Sequence, residues 1–245
     1  MKNEESYDSI GESYIQITET IPQRKIEVQT ILDMLGDVKG KSILDLACGF
    51  GYYGRELRKN GASKVIGVDI SEKMIEIARE KSRINGDDIE FYVIDVRNMG
   101  SFGKFDIVNA VWLFNYATSI ANLEKMFQVI ANNLKLSGKL ISYTIEPDYQ
   151  LSKGNCTPYG INILKEENWN GGFRYKAEYV STPPVPFTFY KWSQEQYELT
   201  SKKAGFKSFE WRKPLILNSD IEKYPEVFWD TYQNNCLQTG FICQF

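Results

Sequence analysis

Residues 43–54 read ILDLACGFGYYG, a run of apolar side chains that breaks into closely spaced glycines. The run Ser42–Leu46 lacks the apolar–polar alternation of a half-exposed strand and has the composition of one buried on both faces. Gly49 and Gly51 allow the backbone to turn tightly and approach a ligand closely, and a helix starting at Tyr52 would offer its N-terminal N–H groups there. Strand, glycine turn and helix make the first unit of an α/β fold.

The same rhythm extends in both directions. Residues 24–36 space Ile26, Ile31, Leu32 and Leu35 as one helical face, with Gly36 as the stop. Downstream, Tyr52–Asn60 reads as a helix, Lys64–Asp69 as a second strand, and Ser71 as the N-cap of a helix reaching about Ile84. Ile89–Ile94 and Phe105–Leu113 read as the third and fourth strands, Ile120–Leu134 as a helix, and Gly138–Ile145 as the fifth strand. Such alternation predicts a doubly wound, mostly parallel sheet with helices on both faces.

After Glu146 the pattern breaks. Residues 147–192 are rich in Gly, Asn, Pro and aromatics and hold two strand-like runs, Phe173–Val180 and Pro186–Trp192, which predict an inserted hairpin. Ser193 then caps a helix over Gln194–Ala204, Phe206–Trp211 reads as a sixth strand, and Gly240–Phe245 is a last apolar run that makes the sheet seven-stranded. One α/β domain is expected: helical caps in 1–36, a core in 40–146, an inserted cap in 147–192, and sheet completion with a C-terminal cap in 193–245.

Gly54 completes a literal GxGxxG, and Asp69, ending the second strand, stands where a carboxylate accepts both ribose hydroxyls. Both features suit a nicotinamide- or flavin-dependent dehydrogenase as well as other nucleoside binders. Asp45 separates the readings. A carboxylate just before the glycines repels a pyrophosphate on the helix N-terminus and suits a ligand with a cationic group and no phosphate.

The 245 residues contain no histidine, which excludes Ser-His-Asp triads, Cys-His pairs, HExxH zinc sites and imidazole bases. Lys plus Arg number 29 against 32 Asp plus Glu, so no general electrostatic pull toward nucleic acid or anionic membrane is expected. Cys48, Cys156, Cys236 and Cys243 are scattered without a CxxC pair, as in a reduced, metal-free protein. The opening MKNEESYDSIGESY has no signal-peptide layout, and the most apolar stretch, Phe105–Phe114, is too short to span a bilayer; a cytoplasmic protein is expected.

On these residues the chain resembles the class I S-adenosylmethionine-dependent methyltransferases, with five motifs in order over roughly residues 40–146. The family's acidic-x-Gly-x-Gly-x-Gly turn falls on Asp45, Ala47, Gly49 and Gly51, with Ala47 replacing the first glycine. The resemblance implies Asp69 as the ribose clamp, Ile70 and Met74 flanking the adenine, and Asp95 with Val96 near its amino group. It implies Asn109 or Ala110 meeting the methionine portion of S-adenosylmethionine through backbone, and LKLSGKLIS is similar to the family's turn before strand five. Tyr7–Tyr14 and the PxR at Pro22–Arg24 resemble the cap of small-molecule members, where Tyr14 and Arg24 would lie over the cofactor's methionine end. Short strings, among them LFNYA, are also similar to azapteridine (toxoflavin-type) N-methyltransferases. Plain structural roles stand beside some of these: Asp95 as a turn cap, Arg24 as a partner of Glu27, Asp106 as a structural hydrogen-bonder.

Ligands of open α/β sheets bind at the C-terminal edge of the strands, which selects Trp112, Asn115, Tyr190 and Trp229 as substrate-side candidates. Without histidine, Glu146, Asp148 and the tyrosines, Tyr7 and Tyr116 foremost, are the candidate proton acceptors. An acceptor that needs little activation, such as an amine or heteroaromatic nitrogen of a small molecule, fits better than an unactivated hydroxyl. A tRNA or rRNA methyltransferase is the alternative, weakened by NAVW and FNYA where base-amino enzymes carry an Asn/Asp-Pro-Pro-aromatic run.

Overall fold

Continuous apolar runs pair into a central sheet because each has two faces to bury. A computed structural model describes residues 11–245. Its strands are β1 (Ser42–Leu46), β2 (Lys64–Asp69), β3 (Glu90–Val93), β4 (Phe105–Val111), β5 (Leu134–Ile145), β6 (Ile161–Trp169), β7 (Gly172–Tyr179), β8 (Val185–Lys191), β9 (Ser208–Arg212) and β10 (Gln238–Gln244). Helices are α1 (Gly11–Thr20), α2 (Arg24–Leu35), α3 (Tyr52–Lys59), α4 (Glu72–Asn85), α5 (Ile120–Asn133), α6 (Gln194–Lys203), α7 (Asn218–Ile221) and α8 (Asp230–Asn234). Seven strands form one sheet in the order β3-β2-β1-β4-β5-β10-β9, in which only β10 runs against its neighbours. This is the doubly wound sheet expected from the alternation.

The period of two along each strand divides the core. Ile43, Val65, Ile107 and Ile141 pack toward α2, α3 and α4, whereas Leu44, Val108, Ala110 and Leu140 pack toward α5 and α6. Ser71 caps α4 by accepting from Met74 N, and Ser193 with Gln196 forms a capping box on α6. Asp106 is structural: Oδ2 accepts from Ser42 N (2.9 Å) and Oγ (2.7 Å), fastening the starts of β1 and β4 together.

The insertion is richer than the expected hairpin. Residues 161–169, INILKEENW, form a third antiparallel strand, giving the sheet β6-β7-β8. Its middle is polar because β6 is an edge strand with Leu164, Lys165 and Glu166 exposed, so no apolar run marks it in the sequence. Ile161, Ile163, Tyr175, Ala177 and Phe189 pack with Ile26 of α2 and with Trp229 and Tyr232, forming a third core above the C-terminal edge of the main sheet. No helix among the described residues is long and apolar enough to cross a membrane.

Candidate functional site: a glycine turn under a roofed cleft

The turn between β1 and α3 holds Ala47, Gly49 and Gly51 at positive φ, +54°, +52° and +75°. A Cβ on Gly49 would meet nothing within 4 Å, so the backbone there faces open space, the condition for a ligand to lie against it. On Gly51 it would strike Phe91 at 2.8 Å, so this glycine is required by packing as well as by φ. Asp69 braces the turn from β2: Oδ2 accepts from Gly49 N (2.8 Å) and Oδ1 from Ser71 N (2.9 Å). Ile70, the next residue, is 58% exposed.

Asp45 and Asn109 are cross-strand neighbours beneath the turn. Asn109 Nδ2 donates to Asp45 Oδ1 at 2.6 Å. Asp45 Oδ2 and Asn109 Oδ1, both buried, have no partner. Such orphaned acceptors cost about 1–3 kcal/mol each and point to a missing cationic or N–H partner. Burial, opposed by the Asn109 hydrogen bond and supported by nearby Asp69, pushes the Asp45 carboxyl up to about 7. The two carboxylates and the open backbone at Gly49 fit S-adenosylmethionine, which has a ribose suited to Asp69 and an ammonium suited to Asp45.

Beside the turn a narrow cleft, part of it continuous with solvent, opens under the three-stranded sheet. Tyr14, Arg24, Trp112, Asn115 and Tyr116 line it, as the sequence reading placed them at the ligand end of the sheet. Tyr14 packs edge-on to Tyr179 (5.7 Å), and burial pushes its hydroxyl up to about 12. Arg24 lies over the Tyr52 ring at 4.6 Å and forms a short ion pair with the buried Glu27, which also accepts from Tyr53 Oη at 2.8 Å. Trp112 sits at φ +57°, a strained conformation for a bulky residue, with its ring edge-on to Tyr143 at 5.4 Å.

Other candidates lie elsewhere. Tyr7 falls outside the described residues. Glu146 follows the cleft-lining Ile145, so the pleat points it away; Oε1 accepts from Asp148 N (3.2 Å), and burial raises its carboxyl. Tyr190 is on the other face of β8, tilted against Trp169, while Phe187 and Phe189 face the cleft. Trp229 is buried, stacked on Tyr159 at 5.5 Å with Nε1 donating to Asp220 O, and serves as support for the roof. Met74 is buried against Ile15 and Phe50, and Val96 lies in the main core. Asp95 caps the turn at Val96–Asn98 and pairs with Arg97 at 2.6 Å.

The sequence reading did not select Gln23, Glu27, Phe187, Phe189 or Gln238 as lining residues. The alternation of Phe187 and Phe189 in VPFTFYK was the available signal for two of them.

Residues 43–138 match the methyltransferase domain family. The chain is 30% identical over 169 residues to the demethylmenaquinone methyltransferase of Lactococcus lactis, covering 66% of either protein. It is 30% identical over 114 residues to a ubiquinone biosynthesis O-methyltransferase of Coxiella burnetii, 46% of this chain and 47% of the other. The chain spans about two fifths to two thirds of the length of the curated relatives it matches. In fold it is similar to an S-adenosylmethionine-dependent methyltransferase of Mesorhizobium loti, with a TM-score of 0.65 at 18% identity over 93% of this chain and 100% of that one. The dehydrogenase alternative falls with these matches. A glycine turn underlain by carboxylates rather than open to a pyrophosphate, within a region matched throughout by the methyltransferase domain, leaves one assignment: the chain belongs to the class I S-adenosylmethionine-dependent methyltransferases.

Proposed function

We propose that this protein methylates a small, planar acceptor at a nitrogen or at an already ionised atom. When bound, S-adenosylmethionine supplies an electrophilic methyl on a sulfonium. Asp69 would take its ribose, Asp45 its ammonium, and Arg24 its carboxylate, through guanidinium N–H groups other than the Nη1 that stays on Glu27. The roof formed by β6, β7 and β8 excludes water, and the aromatic walls orient a flat acceptor for in-line attack.

One observation carries the nitrogen reading: among the described lining residues the carboxylate is already engaged. Among the described lining residues Glu27 is the one carboxylate, and Arg24 and Tyr53 engage it. Tyr14 is held protonated by burial. Neither Glu27 nor Tyr14 stands ready to take the proton of an unactivated hydroxyl. A roofed cleft walled by aromatics favours a small molecule over the protein glutamine named for one relative, from Methanocaldococcus jannaschii.

Methyl transfer from labelled cofactor to planar nitrogen heterocycles, phenols, bulk tRNA and cell protein tests the proposal. The expected product is a methylated heterocycle, with a pH–rate midpoint that follows the acceptor's own pKa across a series. Label in RNA or protein, or a midpoint that ignores the acceptor, overturns it.

A further inference from the structure

A second groove, of about 670 Å³ and open to solvent, runs between α3 with its following turn and the loop that joins α4 to β3. It shares no lining residue with the cleft under the three-stranded sheet. Its walls are polar: the α3 side gives Arg55, Arg58 and Lys59, and the loop gives Asn85, Asp87 and Asp88. Most of these charges are neutralised locally. Arg58 Nη2 pairs with Asp88 at 2.6 Å, and Lys59 pairs with Glu56 at 2.7 Å. Arg55 and Asp87 are left over. Arg55 is only 9% exposed, yet among the described residues its guanidinium forms no ion pair and makes one hydrogen bond, from Nη1 to Phe50 O at 2.7 Å. No nitrogen of Arg55 is both sealed from solvent and without a partner, so its unbonded N–H groups reach an opening, and this groove is the one Arg55 lines. The Asp87 carboxylate accepts from Ile89 N at 3.4 Å and ion-pairs with none of the described residues. Burial lowers the Arg55 pKa, and Asp87 is the first of the carboxylates that oppose it, so the two charges feel each other without meeting.

A buried guanidinium with most of its fork unused is costly, and a carboxylate is the partner whose geometry fits it. Asp87 does not supply that partner from its own position. A dianion such as phosphate would meet Asp87 and Asp88 as like charges, and a plain cation would meet Arg55 in the same way. A ligand that answers both leftover charges carries a carboxylate and an ammonium. We infer that this groove is an effector site for a small zwitterion of the α-amino-acid class, whose carboxylate lies on the free N–H groups of Arg55 and whose ammonium lies on Asp87. Arg55 connects the groove to the cofactor turn. Phe50, whose carbonyl it holds, stands between Gly49 and Gly51, and Nη1 lies 2.9 Å from where a Cβ on Gly51 would stand. A carboxylate on the outer edge of the guanidinium fixes its inner edge on Phe50 O, so the turn is ordered before the cofactor arrives. Effector and cofactor therefore tighten each other by the same factor.

Calorimetric titration of L-glutamine, N-acetyl-L-glutamine and L-glutaminamide tests this, with S-adenosylhomocysteine at saturation so that the amino-acid end of the cofactor site stays filled. Glutamine is expected to bind saturably with a Kd of about 1 mM or below. The acetylated compound lacks the ammonium and the amide lacks the carboxylate, so each should bind at least about tenfold more weakly. Asp87→Asn should lose about tenfold for glutamine and cease to distinguish it from N-acetylglutamine, whereas Arg55→Gln should cease to distinguish it from the amide. Arg55 also braces the turn, so Asp87→Asn carries the test if Arg55→Gln fails to fold. In the native protein, saturating glutamine should tighten S-adenosylhomocysteine binding at least about threefold. Asp87→Asn should abolish that effect while binding S-adenosylhomocysteine alone as the native chain does. No saturable binding, equal binding of the three compounds, or unchanged discrimination in the variants overturns the inference and leaves methyl transfer standing. So does competition between glutamine and S-adenosylhomocysteine, or a cofactor affinity that glutamine does not move.

Discussion

Pairing of Asp45 with the cofactor's ammonium should make binding pH-dependent in a window where this chain has no histidine to confuse the reading. The Asp45 carboxyl is raised to about 7, first by burial, against the Asn109 hydrogen bond. An acid with a higher pKa in the folded state holds its proton preferentially there, so its contribution to stability falls as pH rises from the unfolded value, about 4, through 7. The span corresponds to about 4 kcal/mol at most. An ammonium delivered to Oδ2 reverses the preference, because it favours the carboxylate. If binding requires the ionised form, the apparent dissociation constant carries the factor 1 + 10^(pKa − pH). With a value near 7, affinity at about pH 5.5 should be about 30-fold weaker than at about pH 8. Calorimetric titration of S-adenosylhomocysteine across this range measures it, and the ligand's own groups titrate outside the window. Asp45→Asn should bind weakly with a flat profile, and its unliganded stability relative to the native chain should increase between about pH 4 and about pH 8. A flat profile in the native protein, or the same slope in Asp45→Asn, would refute the pairing of Asp45 with the cofactor's ammonium.

The turn itself supports further tests. Ala47→Gly removes a Cβ at φ +54° and should stabilise the protein by about 1 kcal/mol, raising Tm by about 2–4 °C; a lower Tm would mean that the methyl's packing outweighs the strain. Asp69→Ala leaves Gly49 N and Ser71 N without their acceptor; the expected cost is about 2–4 kcal/mol in denaturant melts and at least about 100-fold in S-adenosylhomocysteine affinity. Gly51→Ala places a Cβ 2.8 Å from Phe91 at φ +75° and should destabilise by about 1–3 kcal/mol, read as a lower denaturation midpoint with unchanged slope.

The central sheet was legible because strands buried on both faces are written as continuous apolar runs, and the turn because a positive φ restricts residue type more than packing does. Even the substitution at Ala47 was visible as a departure, and the structure shows it adopting the glycine-like φ all the same. The roof was harder to read. In β6 the side chains from Lys165 to Asn168 are polar because an edge strand has water on one side, so a strand there resembles a loop. The cleft was hardest, because its chemistry depends on pleat phase. One residue's shift separates Ile145, which lines the cleft, from Glu146, which does not, and Phe189 from Tyr190. Gln23 and Gln238 lie 215 positions apart in the chain and meet only through the fold.

The missing histidine and the cleft's amides describe one property from two sides. A methyltransferase that must deprotonate its acceptor needs a group whose pKa lies near the working pH. Burial moves three phenols in or behind this cleft the opposite way, Tyr14, Tyr53 and Tyr143, and among the described lining residues the one carboxylate is paired with Arg24. What remains are amides, which neither gain nor lose a proton but do sort hydrogen-bond donors from acceptors. The protein thus contributes discrimination and dryness at the point where a base would otherwise stand. The burden of nucleophilicity then passes to the acceptor, which has to present a lone pair of its own.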